Sequence, residues 1–163
     1  MPKPRATLKQ SPADFRVAEQ IDFLLTGHGE HLWCYVEKTG LNTAWLKREW
    51  ARLTGCAQKD IAHSGLKDRH AITRQWLSLP AKHGAQLPDS GDGWRILERQ
   101  LNERKLRVGA HRYNAFTITL RDIDAAPASI DAALAALARD GFPNHFGDQR
   151  FGHTNRDKAQ RWV

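Results

Sequence analysis

Apolar and polar residues alternate along several short segments of the chain, which is the pattern of strands that bury one face. The clearest case is HLWCYVEK at residues 31–38, where Leu32, Cys34 and Val36 alternate with aromatic or charged residues. The same reasoning predicts further extended segments at residues 14–20, 61–64, 73–79, 94–100 and 115–121.

A first helix is predicted from Asn42 to about Leu53. Asn42 is a favourable N-cap, and Trp45 and Trp50 belong to an apolar set that recurs at helical spacing. Gly55 suits the end of this helix, because glycine readily adopts the left-handed conformation found there.

A second helix, rich in alanine and leucine, is predicted to begin at a Ser129 cap and to run to about Arg139. Residues 80–93 are predicted as a loop, and Gly141, Pro143 and Gly147 predict an irregular segment. Strands outnumber helices and are joined mostly by turns. The pattern therefore favours the α+β class, with a mixed, mainly antiparallel sheet and helices packed on it.

The net charge of the chain indicates what kind of partner it binds. The chain has 163 residues, a formal net charge of +7 and a sequence pI of about 9.8. Such a balance favours an anionic partner, with nucleic acid ahead of an acidic membrane. Basic residues are spread along the chain, which indicates a basic face on one folded domain rather than a disordered arm.

Several classes of protein are disfavoured. No stretch is long and apolar enough to span a bilayer, and the N-terminus does not resemble a signal peptide. Cys34 and Cys56 are the only cysteines and form no CxxC motif, so we expect core thiols and a cytoplasmic location. His28, His31 and Cys34 are three apart but run from a loop into a strand, so we expect no metal.

Candidate chemistry is concentrated in SGLKDRHAITRQW at residues 64–76, where Asp68 lies between Lys67 and Arg69. A carboxylate used as a nucleophile or base must be ionised, and a nearby cation keeps it so. Taken alone, Asp68 would be a solvated turn residue. Enzymes that act on a base in RNA also need stacking surfaces, edge-reading polar groups and cations. Phe15 and Phe116 are candidate stacking surfaces, and Asn114 is a candidate polar reader or orienter. Lys9 and Arg150 are candidate cationic partners of Asp68.

Four motifs, in order, resemble the TruD family of tRNA pseudouridine synthases. They are LKQSPADFRVAE at residues 8–19, SGLKDRHAITRQW at 64–76, KLRVGAHRYNAFTITLR at 105–121 and GFPNHFGDQRFG at 141–152. One such motif would be weak evidence, whereas four in the family's order, spread over nearly the whole chain, are specific.

The resemblance implies a role for individual residues. Asp68 matches the catalytic aspartate, and Lys9 matches a lysine proposed to pair with it. Phe15 and Asn114 match substrate-contacting positions, and Phe116 matches the phenylalanine beside the target base. Further candidate RNA contacts are the basic side chains of Lys67, Arg69, His70, Arg112 and Arg150.

The resemblance also implies a reaction: isomerisation of uridine to pseudouridine in tRNA, at position 13, without cofactor or metal and by a monomer. Asp68 would act either as nucleophile at the ribose C1′ or as base at C2′. The alternative is a non-catalytic basic module that binds RNA and is indifferent to Asp68→Asn.

Family members continue well past the last of the four motifs. Residues 1–163 are therefore expected to be the N-terminal portion of a catalytic domain, without the family's insertion domain and C-terminal completion. Edge strands and apolar faces should then be exposed. Activity of the 163-residue chain alone is expected to be weak or absent.

Overall fold

The computed structural model describes residues 4–143. The chain forms two compact units, Met1–Ile123 and Asp124–Val163, and each is considered by itself. In chain order the described part of the first unit contains β1 (Thr7–Leu8), β2 (Phe15–Gln20), β3 (His31–Thr39), α1 (Thr43–Thr54), β4 (Ala62–His63), β5 (Ile72–Pro80), β6 (Ser90–Gly91), β7 (Trp94–Asn102), β8 (Tyr113–Ile118) and β9 (Leu120–Arg121). Short 3-10 helices occupy Pro12–Asp14, Gln58–Asp60 and Ala81–Gln86.

Among the described residues, the main sheet has seven strands in the order β6–β7–β3–β5–β2–β8, with β4 alongside β5. All pairings are antiparallel except that of β2 with β5. β1 and β9 form a separate antiparallel pair. The predicted α+β fold with a mixed, mainly antiparallel sheet is confirmed.

Helix α1 covers one face of the sheet, and its ends follow the sequence signals. The Asn42 side chain accepts a hydrogen bond from the backbone N–H of Trp45 at 2.7 Å, and Gly55 ends the helix at φ +67°. Leu46 and Trp50 are fully buried against the strands. The strand side chains beneath them are Cys34, Val36, Leu77 and Leu79.

The opposite face of β3 is buried as well, which sequence alternation alone does not reveal. Trp33 packs there against Trp76, with ring centroids 6.1 Å apart, and Leu106 joins them. β3 pairs with β5 on one edge and β7 on the other. Its register is specified because a one-residue slip would exchange the side chains of its two faces.

The predicted strand at 115–121 is divided between two sheets. β8 ends at Ile118, and the backbone N–H of Thr119 donates to the Asp14 carbonyl at 2.8 Å. The chain then enters β9, which pairs with β1, and the Arg121 guanidinium makes two bonds to the Asp14 carboxylate. The division matters because it anchors the segment that carries Lys9.

The second unit contains α2 (Pro127–Asp140). The predicted cap at Ser129 is wrong, because the helix begins at Pro127 and its N-cap is Ala126. Pro127 occupies its first turn, where a missing N–H costs nothing. Gly141 ends the helix, and its N–H donates to the Leu137 carbonyl at 2.9 Å. Gly147 lies outside the described residues.

Two further observations concern the chain as described. Between residues 4 and 143 there is no helix with the length and apolar character needed to cross a bilayer. Cys34 and Cys56 are both buried free thiols, and burial raises the pKa of Cys34 to about 12. They behave as the core residues that the sequence predicts.

Candidate active site

Asp68 lies in the loop between β4 and β5, close to the start of β5. One carboxylate oxygen, Oδ2, accepts a hydrogen bond from Lys9 Nζ at 2.5 Å, and the other, Oδ1, accepts from the backbone N–H of His70 at 3.1 Å. Each oxygen therefore keeps accepting capacity on its outer side. The side chain is partly exposed, as a reactive group must be.

Lys9 reaches Asp68 from a turn that follows β1, and its backbone has the uncommon φ of +56°. Its ammonium also lies 3.9 Å from the ring centroid of Phe15, which is within cation–π range. The pairing of β1 with β9 holds the turn from the other side. Lys9 is thus placed between a carboxylate and an aromatic face.

This placement keeps Asp68 ionised. The hydrogen bond from Lys9 is the largest influence and lowers the pKa of Asp68, while partial burial opposes it. The backbone N–H groups of His70 and Arg69 lower the pKa further. A carboxylate in this state can attack an electrophilic carbon or take a proton.

An aromatic wall stands beside the carboxylate. The Phe15 and Phe116 rings lie 6.0 Å apart at an interplanar angle of 57°. Phe116 is 58 % exposed and shares a face of β2 and β8 with Phe15 and Asn114, as the strand register requires. The Asn114 Oδ1 atom is buried and accepts no hydrogen bond in the described part of the structure.

A cleft of about 190 Å³ brings these groups together. Its lining includes Asp68 and the three substrate-contacting candidates, Phe15, Asn114 and Phe116, with Val17, Gly65, Leu66, Lys67 and His111 completing it. A larger cavity of about 440 Å³ lies elsewhere in the first unit and shares none of these residues. The chemistry of the lining, and not size, marks the smaller cleft as the candidate site.

Beneath the cleft is a buried ion pair. Lys67 Nζ donates to the Glu19 carboxylate at 2.6 Å, and the two side chains are only 5 % and 0 % exposed. The same carboxylate accepts the backbone N–H of Trp76 at 3.1 Å. His111 lies alongside, bonded to Ser64 Oγ at 2.6 Å. Because its charge is satisfied inside the fold, Lys67 is not placed to contact RNA phosphates.

A second buried lysine supports the Asp68 loop. Lys38 Nζ donates to the backbone carbonyls of Asp68 at 3.0 Å and Leu41 at 2.5 Å. Burial lowers the pKa of Lys38 to about 8, and Lys67 adds to this shift while Asp68 opposes it. The loop is also fixed by Thr43, whose hydroxyl accepts the backbone N–H of Lys67 at 3.1 Å.

The remaining candidate RNA contacts are at the surface. Arg69 donates to the Gly40 carbonyl at 3.1 Å, His70 is exposed, and Arg112 lies 3.7 Å from the Asp22 carboxylate. Arg150 and most of the motif at 141–152 lie outside the described residues. Within residues 4–143, no three His, Cys, Asp or Glu side chains form a group that could hold a metal ion.

Comparison with known proteins assigns the chain to a family. The family model described as tRNA pseudouridine synthase D (TruD) matches residues 2–159. The chain belongs to the TruD family. Curated relatives named tRNA pseudouridine synthase D include one from Pseudomonas aeruginosa, 49 % identical over 151 residues, and one from Hydrogenovibrio crunogenus, 42 % identical over 163. They cover 91 % and 98 % of this chain.

A solved structure also has the same fold. A protein from Methanosarcina mazei, described as a TruD tRNA pseudouridine synthase D, superposes with a TM-score of 0.75 at 31 % identity, over 90 % of this chain and 35 % of its own. The present chain spans only 42 % and 47 % of the two curated relatives. The match to these two relatives therefore covers less than half of their length.

The sequence predicts side chains that line the cleft, but not those that support it. Glu19, Lys38, Ser64 and His111 are not among the candidates that the sequence offers. A usable signal existed for two of them, because strand alternation places Glu19 on the face of Val17, and Lys38 on the face of Val36. An ionisable side chain on an inward-facing strand position needs an internal partner.

The Lys9→Met substitution is expected to raise the pKa of Asp68 towards its ordinary range, because the strongest stabiliser of its charged form is removed. Carbon-13 NMR titration of the Asp68 carboxyl would measure this, with Lys59→Met at an exposed position as control. In the unsubstituted chain the folded-state pKa is depressed, so this pair stabilises the fold above the unfolded aspartate pKa. That contribution is lost as the pH falls through the folded-state value. An unchanged Asp68 midpoint in Lys9→Met would contradict the assignment.

Proposed function

We propose that this chain supplies the catalytic aspartate of a tRNA pseudouridine synthase. The observation that carries the proposal is the ionised Asp68 carboxylate, bonded to Lys9 at 2.5 Å and opening into a cleft walled by Phe15 and Phe116. An anionic reactive group beside an aromatic surface suits chemistry at a ribose whose base has left its stack.

In the proposed reaction the N1–C1′ bond of a uridine breaks, the uracil turns, and a C5–C1′ bond forms. The hydrogen on C5 leaves as a proton and N1 gains one, so atoms and electrons balance without an oxidant or a transferred group. For this reason we expect no cofactor. Asp68 acts at the ribose, as nucleophile at C1′ or base at C2′, and both roles need the carboxylate that Lys9 maintains.

The base would be held by the aromatic wall beside the carboxylate. Phe116, which is exposed, offers a face for stacking, and the tilted Phe15 ring packs against it. Asn114 Oδ1, which accepts no hydrogen bond from a described residue, is the proposed acceptor for the N3–H of uracil. A cleft of about 190 Å³ is smaller than the roughly 300–1,000 Å³ of ordinary ligand pockets, which suits a single base.

The finer features of the proposal follow from the family. We propose uridine 13 of tRNA as the target, a monomer as the working form, and the cytoplasm as the location. Two buried free thiols are compatible with a reducing compartment. Exposed Arg69, His70 and Arg112 are the proposed phosphate contacts near the cleft, with Arg150 as a further proposed contact from the last motif.

We further propose that residues 1–163 are the N-terminal portion of the catalytic domain. The short coverage of the curated relatives supports this, as does the position of β8 at the end of the strand order in the described sheet. Three apolar side chains of β8 are about half exposed: Tyr113, Phe116 and Ile118. An open strand edge with apolar side chains invites further structure.

The experiment uses two proteins. One is the 163-residue chain. The other is a chimera in which this chain replaces the matching part of the Pseudomonas aeruginosa relative. Transcribed tRNAs are incubated with each, treated with carbodiimide and mapped by primer extension. The chimera is expected to produce a pseudouridine stop at position 13, and the chain alone little or none. Salt-sensitive RNA binding by a chimera that makes no pseudouridine in any tRNA would instead favour a non-catalytic binding module.

A further inference from the structure

A cavity of about 440 Å³ in the first unit has no role in the reaction outlined above. Its walls come from residues 23–26, after β2, and from residues 102–110, after β7, and Trp33 lies at its base. The volume falls within the roughly 300–1,000 Å³ range of small-molecule sites. We call it the Phe23 cavity.

Aromatic and apolar side chains form the base and one rim of the Phe23 cavity. Trp33 is buried, and Phe23 stands on it edge to face, with ring centroids 5.9 Å apart at 88°. Phe23 remains 42 % exposed and the adjacent Leu24 is 94 % exposed. Exposed apolar side chains that lie together mark an interaction site on a protein surface.

Hydrogen bonds hold both walls in place, so the Phe23 cavity is preformed. The Trp33 indole N–H donates to the Arg104 carbonyl at 2.8 Å, and the Asn102 amide donates to the same carbonyl at 3.1 Å. Asn102 also accepts the backbone N–H of Thr26 at 3.1 Å, which ties the two walls together. A Cβ at Gly29 would lie 2.5 Å from the Glu103 backbone, so this close approach requires glycine.

The other rim is cationic. Arg104 and Arg107 are exposed and make no ion pair with any described residue. Lys105 is partly neutralised by Asp60 at 3.7 Å. The one lining carboxylate, Glu103, lies 3.0 Å from His28. A ligand at this rim therefore meets two guanidinium groups that no carboxylate within residues 4–143 neutralises, in a cavity that also has an aromatic lining.

We infer that the Phe23 cavity binds one unstacked nucleotide of the RNA substrate, separate from the uridine that reaches Asp68. The inference rests on the proposed function for the identity of the RNA. Phe23 supplies the surface on which a base stacks, Leu24 packs beside it, and Arg104 and Arg107 bind the flanking phosphates. A protein segment filling the same space would bury an apolar side chain but would leave both arginines without anionic partners.

The test is equilibrium binding of the 163-residue chain to a transcribed tRNA by fluorescence anisotropy at several salt concentrations. Phe23→Leu keeps an apolar side chain but removes the stacking face, and should weaken binding about tenfold. The double substitution Arg104→Gln with Arg107→Gln should make the negative slope of log association constant against log salt concentration shallower by about 1–2, since two phosphate contacts are lost. Arg48→Gln, an exposed arginine on α1, is the matched control and should change neither.

Thermal melts by circular dichroism confirm that each variant is folded before its binding is compared. Unchanged affinity and salt slope in both folded variants would overturn the inference. A second result would also overturn it: the Phe23→Leu substitution lowers the melting temperature of the chimera but leaves its RNA affinity unchanged. That result would mean that a protein segment occupies the cavity. If the substitutions weaken RNA binding by a chimera that makes no pseudouridine, the proposed function is wrong but the nucleotide site stands. If both variants of the chimera form pseudouridine normally with unchanged KM, the nucleotide site is wrong but the proposed function stands.

Discussion

Replacing Asp68 with asparagine is expected to reduce pseudouridine formation by the chimera by about 10³-fold or more, the scale of loss when a reactive group is removed. The amide has nearly the same shape but neither attacks carbon nor takes up a proton at neutral pH. Single-turnover rates with tRNA in limiting amount measure the chemical step directly. They also separate this step from RNA binding and from product release.

RNA affinity should change little in the Asp68→Asn chimera, because the stacking wall and the surface cations are untouched. Asp92→Asn, which removes the same charge from an exposed position after β6, controls for the change in net charge. We expect that control to retain the rate of the unsubstituted protein. An Asp68→Asn chimera with more than a tenth of that rate would remove Asp68 from the reaction.

Glu19→Ala is expected to have the largest effect on stability, about 3–5 kcal/mol in the free energy of unfolding. The substitution leaves the Lys67 ammonium buried without its partner, and it leaves the backbone N–H of Trp76 without an acceptor. Both costs arise because the two side chains are almost completely buried. Urea unfolding of the 163-residue chain would measure the loss.

The double substitution Glu19→Leu with Lys67→Met tests the cause of that loss. Removing both charges leaves no uncompensated ion, so the double variant should be more stable than Glu19→Ala. Glu19→Gln should fall between them, because it can still accept the Trp76 N–H. A Glu19→Ala cost below about 1 kcal/mol would show that the pair contributes no more than a surface ion pair.

The sequence predicts the bounds of helices and strands well where a single local residue determines them. Asn42 and Gly55 bound α1 as expected, and alternation identified β3. The prediction was wrong where a distant group decides. β8 ends at Ile118 because the next residue bonds to Asp14, far away in the sequence. No periodicity within residues 115–121 carries that information.

The candidate site divides in the same way. The four motifs indicate Asp68, Lys9 and Phe116. In the structure Asp68 and Phe116 line one cleft, and Lys9 bonds to Asp68. The ion pair below the cleft depends on which charged side chains the fold buries. Lys67 stands next to Asp68 in the sequence, but strand pairing carries Glu19 beneath the loop and turns Lys67 inward. Partner choice of this kind follows from tertiary packing and not from spacing.

Tritium release from tRNA labelled as [5-³H]uridine is the most direct test that this site makes pseudouridine. Formation of the C5–C1′ bond must expel the hydrogen on C5, whereas RNA binding alone releases none. With the chimera we expect release of one tritium for each target uridine, and with its Asp68→Asn variant we expect none. A folded chimera that binds tRNA but releases no tritium, or equal release by both proteins, would contradict the account.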